Sequence, residues 1–206
     1  MAIIDEIKAS FKSGSSLIKL IYINLAVFVI VNLVEVVYFL VNRHALYSNF
    51  LLQLALPADL SILATRPWTL ITYMFLHKSF INILVNILWL YWFGKVFLEY
   101  LDGKKLVGVY ILGGISGGLL YIAAFNLFPV LSRDLSLAYA LGASASVMAI
   151  VFAISVYVPN YIFHLLFIGK VKIIYIAIVG LLVTSVFDFS INHKYRISSF
   201  SIKFAI

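Results

Sequence analysis

Two sets of polar side chains, each at the start of an apolar segment, have the residue types needed for acyl transfer. Asn82 and Asn86 are four residues apart, so in a helix they share one face. Ser144 stands in the small-residue run Gly142–Ser146. A serine hydroxyl can attack a carbonyl carbon, and amide N–H groups can stabilise the oxyanion that develops. Serine and asparagine also form hydrogen bonds between membrane helices, so their spacing alone leaves a purely structural role open.

The composition predicts an integral membrane protein. Of the 206 residues, 64% are apolar and 11% are charged, whereas soluble domains are near half apolar and a quarter charged. The formal net charge of +7 indicates basic loops beside a membrane rather than a nucleic-acid-binding surface. Because the chain has no cysteine, it has no disulfide, no thiolate metal site and no cysteine nucleophile.

Five apolar segments are long enough to be transmembrane helices, namely residues 20–42, 79–98, 106–125, 140–158 and 171–187. Residues 42–78 are too polar and interrupted to cross a membrane and are predicted to form an ordered interfacial loop. Residues 161–168 are predicted to be an apolar connector, and Lys172 is expected to snorkel from the short fifth helix. The chain becomes polar after residue 187. We therefore expect an all-α transmembrane domain at 1–187 and a polar C-terminal tail at 188–206.

The lysine distribution predicts a cytoplasmic N-terminus, because that orientation places most lysines preceding the tail in cytoplasmic loops. The second and fourth predicted helices then enter from the outer face, so that Asn82, Asn86 and Ser144 lie at similar depths. The third predicted helix carries glycines at small-xxx-small spacing, which allows helices to approach closely in lipid. We interpret them as packing residues: Gly113, Gly114, Gly117 and Gly118.

The segment Pro67–Phe93, the glycine-rich third helix and the run Gly142-Ala143-Ser144-Ala145 resemble the rhomboid intramembrane serine proteases, over roughly residues 15–187. The resemblance implies a helical bundle in which a serine at the start of helix four, here Ser144, attacks a peptide bond of a transmembrane protein substrate. It implies no cofactor and no metal. The family's second helix carries a His, four further residues, a second His, three further residues and an Asn. These positions are His77, Asn82 and Asn86 here, so Asn82 replaces the second histidine, and the resemblance implies that both asparagines stabilise the oxyanion.

The general base is where the sequence departs from the family pattern. The resemblance implies a Ser-His dyad with its histidine on a sixth helix, but no apolar segment follows the fifth one. His193 is the only histidine of the tail, and its polar surroundings make it a poor candidate for the base. His164 is about 20 residues from Ser144, or about 30 Å along a helix, and His44 and His77 are expected in the interfacial loop. We therefore expect reduced activity, and we interpret the tail as a shifted or truncated reading frame, which the coding DNA beyond Asp188 would test.

Two other functions remain open at this stage. The chain could be a catalytically inactive rhomboid-like protein that binds membrane clients, or a small transporter or channel subunit with Glu35 on its path. An interfacial or interhelical hydrogen bond is the simpler interpretation of Glu35. The expected partners are transmembrane proteins and the lipid bilayer, and the expected location is a bacterial inner membrane. Without a sixth helix, small residues of helix four are predicted to face lipid and to weaken the fold: Gly142, Ser146, Ala149 and Ala153.

Overall fold

The computed structural model describes residues 11–132, 135–165 and 169–182. The end of the fifth predicted helix, the tail at 188–206 and His193 lie outside the described residues. The chain divides into two compact units, Met1–Ala153 and Ile154–Ile206.

Three helices of the first unit are long and apolar enough to cross a membrane: α1 (Ser16–Leu40), α5 (Phe80–Tyr100) and α6 (Gly103–Leu127). The Ser15 hydroxyl accepts a hydrogen bond from the Ile18 N–H at the start of α1, and Asp102 accepts one from the Lys105 N–H at the start of α6. These caps satisfy N–H groups that a helix start otherwise leaves without partners. The first three predicted transmembrane helices are thus confirmed to within a few residues.

The segment between α1 and α5 is ordered, and hydrogen bonds from its side chains to its own backbone carbonyl oxygens stabilise it. The Trp68 indole N–H donates to the Gln53 oxygen at 2.8 Å, and the Thr72 hydroxyl donates to the Leu54 oxygen at 2.7 Å. Its elements are α2 (His44–Leu52), β1 (Leu56–Pro57), α3 (Leu60–Thr65), α4 (Thr69–Thr72) and a 3₁₀ turn at Tyr73–Phe75. Strand β1 pairs antiparallel with β2 (Tyr139–Ala140), which ties this segment to the chain just before the fourth long apolar region.

The fourth predicted helix is shorter than expected. After α7 (Pro129–Ser132), a 3₁₀ turn at Leu135–Leu137 and β2, helix α8 comprises Ser144–Tyr157, which is 14 residues. Its prediction at 140–158 was wrong at the N-terminal end, because Tyr139–Ala140 pairs with β1 and Gly142 has a φ of 129°. That φ is accessible to glycine and ends the extended segment before the helix begins.

The small residues of α8 pack on the glycines of α6. A Cβ atom at Gly113 would overlap the Cβ of Ala149, and a Cβ atom at Gly117 would overlap the Cβ of Ala145. Ser146 is fully buried, with its hydroxyl 3.8 Å from the Met74 sulfur. The glycines are therefore packing residues, as predicted. The prediction that the small face of α8 lies open to lipid is wrong for Ser146 and Ala149, because α6 is their partner.

A buried hydrogen-bond network connects α1, α6 and the 3₁₀ turn before α5. The Asn24 amide donates to the Tyr110 hydroxyl at 3.1 Å, and this hydroxyl lies 3.3 Å from the Met74 carbonyl oxygen. Asn24 also donates to the Leu20 carbonyl oxygen at 2.9 Å within α1. Tyr110 is fully buried and Asn24 is 2% exposed. Because unpaired polar groups are costly at such positions, the network favours one arrangement of the three elements.

The described part of the second unit contains a β-hairpin that the sequence did not predict. Strand β3 (Ile162–Leu165) pairs antiparallel with β4 (Gly169–Lys172), and helix α9 begins at Ile173, its described part being Ile173–Leu182. The predicted connector at 161–168 and the predicted helix start at residue 171 were therefore wrong. Lys172 lies in a strand, where its ammonium group donates to the Asn160 side-chain oxygen at 3.2 Å, rather than snorkelling from a helix.

Candidate active site

Ser144 is the first residue of α8, where the chain turns sharply from β2 into the helix. The Gly142 N–H donates to the Tyr73 carbonyl oxygen at 3.0 Å, which fixes the backbone two residues before the serine. Ser144 itself is half-buried. Its hydroxyl therefore lies at a helix start, where the helix dipole favours negative charge.

The Asn82 side chain reaches the turn at Gly142 that precedes this serine. Ser144 Oγ lies 3.9 Å, and Asn82 Oδ1 lies 4.0 Å, from the position that a Cβ atom would take at Gly142. Both oxygens are therefore close to the same point beside the Gly142 backbone. Both residues lie in the first turn of their helices, α8 and α5.

Asn86 lies one turn further into α5 and is hydrogen-bonded to Asn82. Its amide nitrogen donates to Asn82 Oδ1 at 2.8 Å and to the Asn82 carbonyl oxygen at 3.0 Å. Asn86 is 7% exposed, so these bonds satisfy a buried amide. Because the Asn82 side-chain oxygen accepts from Asn86, the Asn82 amide nitrogen is the group left to donate elsewhere.

His77 contacts the same loop from the other direction. The Ala143 N–H points to His77 Nε2 at 3.4 Å, and His77 Nδ1 lies 3.2 Å from the Phe75 carbonyl oxygen. Both contacts are satisfied by the neutral ring with its proton on Nδ1, which donates to Phe75 while Nε2 accepts from Ala143. His77 is 2% exposed, and burial lowers its pKa from 6.5 to about 4.

The segment Tyr73–His77 thus holds both residues that precede the serine. Tyr73 accepts from Gly142, and His77 accepts from Ala143. The Tyr73 hydroxyl in turn donates to the Gly114 carbonyl oxygen of α6. The sequence pattern predicted His77 in the interfacial loop without a role, and its position five residues before Asn82 in the His–Asn motif was the one signal that pointed to the site.

The described residues do not supply a general base for Ser144. Among the residues described, no hydrogen bond joins the Ser144 hydroxyl to a histidine. The Nε2 lone pair of His77 faces the Ala143 N–H, and His164 lies in β3. His193 lies outside the described residues, so its proposed role stays a prediction.

The interaction of Glu35 with Tyr47 is consistent with its interpretation as a residue that makes an interfacial or interhelical hydrogen bond. Tyr47 of α2 shares a hydrogen bond with the Glu35 side chain, and the pKa of Tyr47 is raised to about 12 by burial and by the neighbouring carboxylate. The contact joins α1 to α2. Within the described part of the chain, no group of three His, Asp or Glu side chains is arranged to hold a metal ion.

A comparison with protein families identifies a known domain in the chain. The family model described as the Rhomboid domain matches residues 64–200, which is well over half of the chain and includes α5, α6 and α8. Asn82, Asn86 and Ser144 all lie within the match. A search of curated proteins gave no match at the significance required.

Proposed function

The chain belongs to the rhomboid family, and on that premise we propose that it is an intramembrane serine endopeptidase of reduced activity with Ser144 as its nucleophile. The observation that carries the proposal is the placement of Ser144 Oγ and Asn82 Oδ1 around one point beside Gly142. A serine nucleophile and an amide donor from another helix are two of the parts that acyl transfer needs, and the general base is the third. The substrates we propose are transmembrane proteins, which a site within an integral membrane protein can reach.

In the proposed reaction, Ser144 Oγ attacks the carbonyl carbon of the scissile peptide bond. The C–O bond forms, the carbonyl oxygen becomes an oxyanion, and the serine proton passes to a base. The oxyanion then re-forms the C=O bond while the C–N bond breaks, and the base gives the proton to the leaving amine, which leaves an acyl-enzyme ester. Water afterwards hydrolyses the acyl-enzyme ester and restores the hydroxyl. The amide nitrogen of Asn82 donates to the oxyanion, and Asn86 orients that amide by donating to its oxygen. Asn86 would also donate directly if its amide turned from Asn82 on substrate binding.

We propose reduced activity because the described residues place no base beside Ser144. A serine without a base is a weak nucleophile at neutral pH, and loss of one member of a catalytic unit costs several orders of magnitude in rate. The Nε2 atom of His77 already accepts a hydrogen bond from Ala143, so His77 is not available as the base, and we retain His193 as the candidate base.

We further propose a bacterial inner membrane as the location, with the N-terminus in the cytoplasm.

Labelling of the purified protein in detergent with a fluorophosphonate tests the nucleophile. We expect slow labelling that Ser144→Ala abolishes and Ser116→Ala leaves unchanged, because the Ser116 hydroxyl is exposed and bonded within α6 to the Leu112 carbonyl oxygen. Labelling that survives Ser144→Ala would refute the assignment. His193→Ala should lower the labelling rate further if His193 is the base, and an unchanged rate would remove it from the site.

A second candidate function is an inactive rhomboid-like protein that binds membrane clients. It is favoured by the engagement of His77 with Ala143 and of Asn86 with Asn82, since both groups already have partners before any substrate is present. Complete absence of labelling in a protein that remains folded would support this function. Cleavage of a transmembrane reporter that depends on Ser144 would exclude it.

A further inference from the structure

The hairpin formed by β3 and β4 has two different faces. In an antiparallel pair, directly opposite residues place their side chains on the same face, and successive residues alternate between faces. Lys172 lies opposite Ile162, and Val171 lies opposite Phe163. One face therefore carries Lys170 and Lys172, which we call the lysine face, while Phe163 and Val171 lie on the other, the apolar face.

The sequence around the lysine face contains no acidic residue that would balance its charge. Residues 135–187 contain no Asp or Glu, and Lys170 and Lys172 are their only Lys or Arg residues. Both lysines are exposed, and in the described ranges neither forms an ion pair. Residues two apart on a strand are about 7 Å apart, which is close enough for two ammonium groups to share one anionic surface. Their counter-charge must therefore come from outside this stretch of the chain.

The backbone of the hairpin restricts where it can lie in a membrane protein. A two-stranded sheet leaves one edge of each strand without ladder hydrogen bonds, and such edges do not face the hydrocarbon core of a bilayer. An isolated hairpin in water is marginally stable and needs an apolar surface to pack on. Tyr161, whose ring contacts Phe163 at a centroid distance of 5.3 Å, is of the residue type that prefers the membrane–water interface. The interface meets all these requirements.

We propose that the hairpin lies in the membrane interface and that Lys170 and Lys172 bind the phosphate groups of anionic phospholipids. The apolar face is then directed to the acyl chains and the lysine face to the head groups. Each lysine near an anionic membrane surface contributes about 1 kcal/mol, which is about fivefold in affinity. This inference is independent of the proposed protease activity.

Native mass spectrometry of the protein from detergent containing equal amounts of phosphatidylglycerol and phosphatidylcholine tests the proposal. The wild-type chain should retain phosphatidylglycerol preferentially, and the double variant Lys170→Gln/Lys172→Gln should bind it at least about tenfold more weakly. The matched control is Lys104→Gln/Lys105→Gln, which removes the same charge from a segment where Lys105 already pairs with Asp102 at 3.3 Å. It should retain the lipid preference. Equal losses in the two variants, or none in the first, would overturn the proposal.

A second measurement tests the depth of the hairpin without altering its charge. Because the chain has no cysteine, Ile162→Cys provides a single labelling site on the lysine face, where Ile162 is 45% exposed. A fluorophore there should be quenched more strongly by a nitroxide on the lipid head group than by one at the end of an acyl chain. Stronger quenching from the acyl-chain end would show that the hairpin does not lie at the interface.

Discussion

Replacement of His77 by glutamine should change how the stability of the protein depends on pH. Glutamine offers an acceptor oxygen for the Ala143 N–H and a donor for the Phe75 carbonyl oxygen, as the neutral imidazole does, but it does not titrate. Protonation of His77 would turn its Nε2 from an acceptor into a donor facing another N–H group. The wild-type contact therefore exists only with the ring neutral.

The magnitude follows from the pKa of His77, which burial lowers from 6.5 to about 4. Between these two values the unfolded chain binds a proton that the folded chain does not, so stability falls as the pH falls. Each unit of pKa difference is worth about 1.4 kcal/mol, which gives a loss of about 3 kcal/mol over the whole interval. For a chain of this size, that corresponds to a fall in Tm of roughly 6 to 12 °C.

Thermal unfolding in detergent at pH 7.5 and pH 4.5 measures the effect. The glutamine variant should be somewhat less stable than the wild type at pH 7.5 and should lose less stability at pH 4.5, since all other titrating groups are common to both proteins. His77→Phe is the control for the hydrogen bond: like glutamine it does not titrate, but it leaves the buried Ala143 N–H without an acceptor, so it should be less stable than the glutamine variant by about 1 to 3 kcal/mol at both pH values. Parallel pH profiles for the wild type and the glutamine variant would refute the account of His77.

Two further substitutions test the packing that supports the site. Gly113→Ala should lower the free energy of unfolding by about 1 to 3 kcal/mol, because the added Cβ would overlap Ala149. The control is Gly108→Ala, which should leave stability unchanged or slightly raised, because nothing lies within 4 Å of its Cβ. A urea titration in mild detergent compares the two variants, and equal effects would contradict the packing. Tyr110→Phe should cost about 1 to 3 kcal/mol in the same assay, because the buried Asn24 amide loses its bond to the Tyr110 hydroxyl and keeps only the one to the Leu20 carbonyl oxygen, and an unchanged midpoint would show that the network contributes nothing.

The long helices could be predicted from the sequence because membrane crossing requires a long apolar run, and α1, α5 and α6 each supply one. The hairpin could not. A short apolar run has the same composition whether it is a strand or part of a helix, and Val171 and Lys172 were therefore assigned to the helix that follows them. The start of α8 was misplaced for a related reason, since it depends on the pairing of Leu56 with Ala140, which are far apart in the sequence.

The candidate site divides in the same way. Ser144, Asn82 and Asn86 could be singled out because residue type and helical spacing are local properties of the sequence. The role of His77 could not, because its hydrogen bond to Ala143 joins residues 66 positions apart. Its partner is also a backbone N–H group, which every residue but proline has, so nothing in the sequence marks it.

The proposed protease needs a correctly positioned serine and a base that accepts the serine proton. The segment before α5 contributes to the first of these requirements but not to the second. Met74 accepts from Tyr110 of α6 through its carbonyl oxygen and contacts Ser146 of α8 through its sulfur. Its neighbours Tyr73 and His77 hold the backbone before Ser144, so the position of the nucleophile depends on contacts within the first unit. Transfer of the serine proton depends instead on a base that these contacts do not supply. Loss of the base should therefore lower the rate at which Ser144 reacts without moving it. The labelling rate, combined with the pH profile of stability, can distinguish a well-placed serine without a base from a site that has lost its geometry.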